Sequence, residues 1–203
     1  MVFVVGVHDK ERIDKLTKSE VPIINTTSTS PEAWQRMLSP FYVGPVNLYD
    51  GKTSRNMENA WQYVKVYQRY LGEDGEPTPE YFEWAARGWD SEIADRYPMG
   101  KNAKPVYSYW DGQHLDYITA RKRIYIPLYA SAVLDTVAFD TLEEMYNENE
   151  HIALWDSDGY DSHKLGMSFM DIVHEPKMKM GHAFVLSMLL QLPEGEMEKI
   201  ILS

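Results

Sequence analysis

The stretch NMENAWQYVKVYQRYL, residues 56–71, is the most regular amphipathic segment of the chain. Its apolar residues recur at intervals of three and four, which predicts a helix over the whole stretch. On that helix Glu58, Gln62 and Lys65 stand at i, i+4 and i+7 and share one face. A stripe of polar side chains is commonly a solvated face. The pattern alone therefore leaves both a functional site and a solvated surface open.

Periodicity and turn signals predict elements along the rest of the chain. Strands are expected at residues 1–7, 152–155 and 199–202, and helices at 79–97 (broken by Gly88), 115–134 and 181–192. The fold class predicted from this pattern is α+β, predominantly α-helical, in a single domain with a few short strands. Residues 1–37 are expected to form a strand and loop extension packed on a domain of residues 38–203.

Composition narrows the functional classes. The 203 residues carry 20 Lys and Arg against 31 Asp and Glu, so the formal net charge is −11. This acidic balance disfavours non-specific duplex binding, and a nucleic-acid substrate would need a local basic patch such as Arg121, Lys122 and Arg123. The absence of cysteine excludes disulfides, thiolate metal sites and a cysteine nucleophile. Neither a signal peptide nor an apolar run of membrane-spanning length is found, so a cytoplasmic protein without membrane contact is expected.

Two further features have both a structural and a functional interpretation. Residues 156–161 contain three aspartates but lack the Gly and Glu that an EF-hand loop needs at its sixth and twelfth positions, where Asp161 and Met167 stand. An acidic turn and a cleft carboxylate both remain open. His182 lies in an apolar helix and is expected to be a packed or capping residue. None of the histidines has the spacing of a zinc helix.

A series of short motifs occurs in order along the chain: Ser39-Pro40-Phe41, Pro45-Val46, Asp50-Gly51-Lys52-Thr53, Glu58-Asn59, Gln62, Lys65, Met99-Gly100-Lys101-Asn102, Lys104-Pro105, Trp110, Asp158-Gly159-Tyr160 and the helix from Gly181. This series resembles the pattern of the NADAR (YbiA-like) family, which runs S-N-F, P-I, D-G-K-T, E-H-x-x-Q-x-x-K, M-G-R-N, K-P, W, D-x-Y followed by W-G, and a closing G-x-N-x-L-G-x-x-L-M helix. The order is preserved from about residue 38 to 192. Departures are Pro40 for Asn, Asn59 for His, Asp161 for Trp, and the missing Asn and second Gly of the closing helix.

The resemblance implies a YbiA-like fold and the cleavage of N-glycosidic bonds in ADP-ribose-type nucleotides or bases. The transition state of this cleavage has oxocarbenium character, and a carboxylate stabilises its positive charge. The catalytic residues it implies are Glu58, Lys65 and Asp158. The substrate-binding residues are Ser39, Phe41, Asn59, Trp61, Gln62, Lys101, Asn102, Trp110 and Tyr160. No metal or other cofactor is expected.

The substrate implied by the resemblance is a small-molecule nucleotide or an ADP-ribosylated nucleic acid. The alternative is a binding module that holds ADP-ribose or a nucleotide in the same cleft without turning it over. The departures at Pro40, Asn59 and Asp161 favour that alternative.

Overall fold

Three short parallel strands are built from the apolar segments near the two ends of the chain. In the computed structural model, which describes residues 1–203, strands β1 (Val2–Gly6) and β2 (Ile23–Asn25) both pair with β8 (Ile152–Asp156). Strand β8 lies between the other two, and its residues 152–154 are fully buried. Burial on both faces explains why β8 is a continuous apolar run without alternation.

This sheet belongs to a unit formed by residues 1–39 and 133–203, here called the sheet unit. Its helices are α1 (Lys10–Lys18), α2 (Ala33–Arg36), α7 (Val137–Glu148), α8 (Phe169–His174), α9 (His182–Gln191) and α10 (Glu196–Leu202). Helix α9 packs against β1 and β8 and is buried along most of its length. A helix buried on all sides is apolar on all sides, which explains the sequence of α9.

The second unit, residues 40–132, is inserted between these two segments and is called the inserted unit. It contains the hairpin β3 (Val46–Asn47) and β4 (Thr53–Ser54), and the antiparallel sheet β5 (Lys65–Val66), β6 (Tyr107–Trp110) and β7 (Gln113–Leu115). Its helices are α3 (Met57–Gln62), α4 (Pro79–Asp90), α5 (Tyr117–Ala120) and α6 (Ile126–Leu134). The last two residues of α6 belong to the second segment of the sheet unit. A π-helical segment, Arg121–Tyr125, links α5 to α6.

The predicted α+β class is confirmed, with about 44% helix and 14% strand. The strands predicted near residues 1–7 and 152–155 and the apolar helix at 181–192 are present. The predicted division at residue 37 stays a prediction. In the structure, residues 1–39 and 133–203 form one unit, in which β1 and β2 are two of the three strands of the sheet around β8.

Two predicted elements are wrong for physical reasons. The helix expected over 56–71 ends at Gln62, because Lys65 and Val66, which lie among β-branched and aromatic neighbours, pair with β6 instead. The strand expected at 199–202 is the end of helix α10, which begins after Gly195 in the left-handed conformation (φ 80°). Short apolar runs do not distinguish a strand from a buried helix.

Gly88 does not break helix α4, contrary to the sequence prediction. The helix is continuous from Pro79 to Asp90. A Cβ atom at residue 88 would lie 2.1 Å from two carbon atoms of the Tyr63 ring. Glycine is therefore required at this position so that the Tyr63 ring can pack directly on the helix backbone.

The Gly88→Ala variant is expected to unfold more easily, although alanine is the better helix former by about 1 kcal/mol. The clash with the Tyr63 ring outweighs that gain, and the net loss in free energy of unfolding should be about 1–3 kcal/mol. Urea denaturation measures it. The control Arg87→Ala, at an exposed position of the same helix, should stay within about 0.5 kcal/mol of the parent. A Gly88→Ala protein as stable as the parent would contradict the packing argument.

Candidate functional site

The start of α3 is fixed by hydrogen bonds to the segment that precedes it in the inserted unit. The Asn56 side chain accepts a hydrogen bond from the Asn59 N–H and caps the helix. The N–H groups of Met57 and Glu58 donate to the carbonyl oxygens of Val43 and Pro40, each at 2.8 Å. These bonds satisfy the first-turn N–H groups that a helix leaves unpaired. The bond to Pro40 joins the Ser39-Pro40-Phe41 motif to the motif that begins at Glu58. Only 7% of the Glu58 surface is exposed.

A hydrogen-bonded chain links Glu58, Gln62 and Lys65. Gln62 Nε2 donates to Glu58 Oε1 at 2.8 Å, and Lys65 Nζ donates to Gln62 Oε1 at 2.7 Å. The reversed amide would place the NH₂ group against the ammonium and the oxygen against the carboxylate. The network therefore determines the amide orientation, and Gln62 connects a carboxylate to an ammonium.

Lys65 reaches this chain from a strand and not from the predicted helix. It is the first residue of β5 and pairs with Ser108 of β6. The Tyr109 N–H also donates to the Val64 carbonyl at 2.7 Å. The predicted grouping of Glu58, Gln62 and Lys65 is present, but it combines a helix face with a strand end.

Trp61 adds an aromatic surface beside the chain. Lys65 Nζ lies 4.8 Å from the centre of the Trp61 ring, within the range of a cation–π contact. The ring also contacts Tyr125 edge-on at 5.2 Å and Tyr117 at 6.4 Å. Tyr117 is 44% exposed, so part of this cluster is open to solvent. Carboxylate, amide, ammonium and indole thus occur within one connected group.

Arg121 was not among the predicted site residues, although it stands four residues after Tyr117 at the end of α5. Its guanidinium lies 4.7 Å from the centre of the Tyr117 ring, and the residue is only 1% exposed. The spacing of four residues on a helix was the available sequence signal. Burial of Arg121 also means that residues 121–123 do not form the continuous exposed basic patch considered from sequence.

Asn59 uses its whole side-chain amide to hold the loop after α4. Nδ2 donates to the carbonyl oxygens of Ser91 and Ile93 at 3.1 and 3.0 Å, and Oδ1 accepts from the Asp95 N–H at 2.9 Å. The residue is completely buried. A substrate contact by the same atoms would have to displace these bonds, so the geometry assigns Asn59 to loop anchoring.

The remaining predicted residues of the inserted unit lie at several places. Phe41 is half-buried and directly follows the carbonyl that accepts the Glu58 N–H. Trp110 ends β6, and its ring centre lies 4.9 Å from that of Tyr49. Lys101 and Asn102 are exposed in a turn that follows Gly100. None of the contacts described above joins these residues to the Glu58–Gln62–Lys65 chain.

Ser39, Asp158 and Tyr160 belong to the sheet unit. Ser39 is buried, and the Tyr160 ring packs 4.6 Å from the Phe184 ring. Asp158 lies in the turn after β8, where its N–H donates to Asp156 Oδ1 at 3.0 Å. Lys179 Nζ stands 3.8 Å from an Asp158 carboxylate oxygen. This is a turn held by hydrogen bonds, with a partly exposed carboxylate.

Asp156 and His182 form a buried pair that the sequence did not single out as a pair. His182 Nδ1 lies 3.2 Å from Asp156 Oδ2, and His182 Nε2 lies 2.8 Å from the Thr26 carbonyl oxygen. The Ala183 N–H donates to the same aspartate oxygen at 3.0 Å. A Cβ at Gly181 would lie 2.1 Å from that oxygen. His182 is thus the packed residue that its apolar helix predicted.

No group of three or more His, Asp or Glu side chains is arranged to hold a metal ion. None of the helices combines the length and the apolar character needed to cross a bilayer.

Replacement of Asn59 by alanine is expected to lower the free energy of unfolding by about 2–4 kcal/mol. The substitution removes three hydrogen bonds and leaves two carbonyl groups and one N–H of the 91–95 loop without their partner. Urea denaturation measures the loss. Asn47→Ala, at an exposed position of β3, is the matched control and should change stability by less than about 0.5 kcal/mol. Equal stability of the two variants would refute the anchoring role.

Comparison with known proteins assigns no family to this arrangement. Neither a protein-family model, nor a curated protein, nor a solved structure matches the chain. The NADAR resemblance therefore continues to rest on the ordered sequence motifs, and the roles it implies remain predictions. The site itself is defined by the contacts of Glu58, Trp61, Gln62 and Lys65 within the inserted unit.

Proposed function

We propose that the chain hydrolyses the N-glycosidic bond of a ribosylated, ADP-ribose-type nucleotide or base. The observation that carries this proposal is the buried Glu58 carboxylate, which is oriented by Gln62 and connected through it to the Lys65 ammonium. This arrangement supplies a fixed negative charge, a fixed positive charge and an adjacent indole. The ordered NADAR-like motifs, which include Glu58, Gln62 and Lys65, support the same proposal.

Glu58 is the catalytic carboxylate of the proposed reaction. As the bond between the anomeric carbon and the base nitrogen breaks, positive charge develops on the ribose ring, and a nearby carboxylate stabilises it. Glu58 also accepts a proton from the attacking water, whose oxygen bonds to the anomeric carbon. The departing base nitrogen takes up a proton from solvent, and Glu58 returns the proton of the attacking water to solvent, so the products are the free base and the ribosyl hydroxyl compound. The reaction uses water and needs no redox cofactor.

In this proposal Gln62 orients the Glu58 carboxylate, and Lys65 compensates negative charge. Because Gln62 hydrogen-bonds to both charged groups, it restricts the Glu58 carboxylate to one orientation before the substrate binds. The Lys65 ammonium offsets the diphosphate charge or holds the leaving base. Lys65 is half-buried, and its contact with the Trp61 ring reduces its freedom further.

Substrate binding is proposed for the other residues that the resemblance implies. Trp61 stacks on the base, a contact available to any planar heterocycle. Asp158 holds ribose hydroxyls or shares the attacking water. Ser39, Phe41, Lys101, Asn102, Trp110 and Tyr160 complete the proposed set. A YbiA-like fold and a cytoplasmic location are parts of the same proposal.

The second candidate function is a binding module that holds ADP-ribose or a nucleotide without turning it over. Two observations favour it. Asn59 stands where the family has His, and its amide is fully engaged by the loop. Asp161 stands where the family has Trp, and it forms a 3.1 Å ion pair with Arg12. Both departures replace family residues by groups that stabilise this chain.

Glu58→Gln is expected to abolish turnover while substrate is still bound. The amide retains the shape of the carboxylate but neither stabilises positive charge nor accepts a proton from water, so the rate should fall by about 10³-fold or more. Mass spectrometry detects the released base. The substrates to test are ADP-ribosylated guanosine and DNA, NAD, ADP-ribose conjugates and riboflavin-pathway intermediates.

Glu143→Gln, at an exposed position of α7, controls for the change in net charge and should leave turnover at the parent rate. Turnover that survives Glu58→Gln would show that Glu58 is not the catalytic carboxylate. A parent protein that retains one of these compounds but never cleaves it would support the binding module instead.

A further inference from the structure

Tyr117 is an exposed aromatic residue at the outer end of the ring cluster beside the Glu58 site. Trp61 stands three residues after Glu58 on α3, a spacing that makes the two side chains neighbours on the helix surface. The centre of the Tyr117 ring lies 6.4 Å from that of the Trp61 ring. Trp61 is half-buried, whereas Tyr117 is 44% exposed. Tyr117 therefore extends the aromatic surface of Trp61 to a place that a planar ligand can reach.

One face of the Tyr117 ring is covered from within the protein. The guanidinium carbon of Arg121 lies 4.7 Å from the ring centre, within the range of a cation–π contact, and Arg121 is only 1% exposed. Since a buried cation covers one face and Tyr117 still has much exposed surface, that surface includes the opposite face of the ring. The ring thus has a fixed support on one side and an open outer face on the other.

The backbone around Tyr117 fixes the ring before any ligand binds. Asp116 caps α5 by accepting hydrogen bonds from two backbone N–H groups and from the Thr119 hydroxyl, at 2.8–2.9 Å. The π-helical segment Arg121–Tyr125 follows α5, and the ring of its last residue contacts Trp61 edge-on. π-helical turns are rare and are frequently found at functional sites. This one begins at the residue that supports Tyr117 and ends at the residue that packs on Trp61.

Both rings of this surface already contact a cation. Lys65 Nζ lies 4.8 Å from the centre of the Trp61 ring, and the Arg121 guanidinium lies 4.7 Å from that of Tyr117. These two positive charges repel a cationic ligand on the outer face, and the site opposes them with one carboxylate, Glu58. An uncharged heterocycle meets no such repulsion and stacks on any exposed aromatic face. The charges therefore favour an uncharged ring over a cationic one.

The charged residues that adjoin Tyr117 in sequence add to this preference. Asp116 contributes one negative charge, but both of its carboxylate oxygens accept hydrogen bonds within the cap of α5. Lys122 and Arg123 directly follow Arg121 and contribute two further positive charges. The surroundings of the ring are therefore positive on balance, which also suits a ligand that carries a phosphate group.

We propose that Tyr117 is the specificity-determining residue of the site. Its outer face stacks on the base of the substrate and selects an uncharged base over a cationic one. Arg121 is a positioning residue that acts through the Tyr117 ring. This inference rests on the proposed function and names its substrate class: the base is an uncharged purine or pyrimidine, and the cationic pyridinium of NAD is disfavoured.

The test compares three mononucleotides that share a ribose 5-phosphate: guanosine monophosphate, nicotinamide mononucleotide and the reduced form of the latter. The two nicotinamide compounds have nearly the same shape, but only the oxidised ring carries a positive charge. Each compound is titrated by calorimetry into the full chain carrying Glu58→Gln, in which the proposed cleavage is blocked. Guanosine monophosphate and the reduced compound are expected to bind about three- to ten-fold more tightly than the oxidised compound.

Tyr117→Leu in the same background should weaken the binding of guanosine monophosphate about ten-fold and reduce the preference, because stacking on the ring is lost. Tyr117→Phe keeps the ring and should retain all three affinities. The matched control is Tyr97→Leu, which removes another exposed tyrosine ring with an arginine beside it, Arg96 at 5.8 Å, and should change none of them. Arg121→Met should reduce the preference for the uncharged compounds, whereas Arg121→Lys should retain it.

Three results would overturn the assignment of Tyr117: equal affinity for the two nicotinamide compounds, equal losses in Tyr117→Leu and Tyr97→Leu, or no binding of any of the three compounds. Circular dichroism verifies that each variant is folded. Where the Arg121 variants do not fold, the comparison of Tyr117→Leu with Tyr97→Leu decides. Base release by the parent protein tests the proposed cleavage separately. A parent protein that releases no base while the expected affinities are measured would contradict the N-glycosidase function and retain Tyr117 as the base contact of a binding module.

Discussion

Pairing between β5 and β6 is the constraint on which the inserted unit depends. Lys65 and Val66 are bonded in register to Ser108 and Tyr107, and this pairing ends helix α3 at Gln62. A continuous helix would carry Lys65 a further turn along its axis, on the face of Glu58 and Gln62. The strand instead holds the Lys65 backbone while its ammonium reaches the Gln62 amide. The site thus combines the stiffness of a short helix with that of a sheet, which suits preorganised chemistry.

Gln62 has a central role because its side-chain amide hydrogen-bonds to both charged groups of the site. With the amide between them, Glu58 and Lys65 remain distinct charged groups in fixed positions. A substrate that develops positive charge at one end and carries negative charge at the other fits such an arrangement.

The buried polar groups of the two units serve the backbone more than they serve chemistry. Asn59 holds the 91–95 loop, and Asp156 accepts hydrogen bonds from backbone N–H groups at the start of α9 and in the turn after β8. His182 joins Asp156 to the Thr26 carbonyl across the end of the sheet. Buried polar side chains must find partners, and irregular backbone near strand and helix ends supplies them. Such residues are easily mistaken for ligands when only their type is known.

The amino-acid sequence was sufficient to predict the α+β class, the apolar strands at 1–7 and 152–155, the buried helix at 181–192 and the grouping of Glu58 with Gln62. These follow from local periodicity, which chain geometry converts directly into a face or a buried run. Only the tertiary structure decided that Lys65 lies on a strand, that Gly88 packs against Tyr63, and that β1 and β2 flank β8. Each of these outcomes depends on a partner distant in sequence. Local propensity differs by less than about 1 kcal/mol between helix and strand, so long-range pairing decides it.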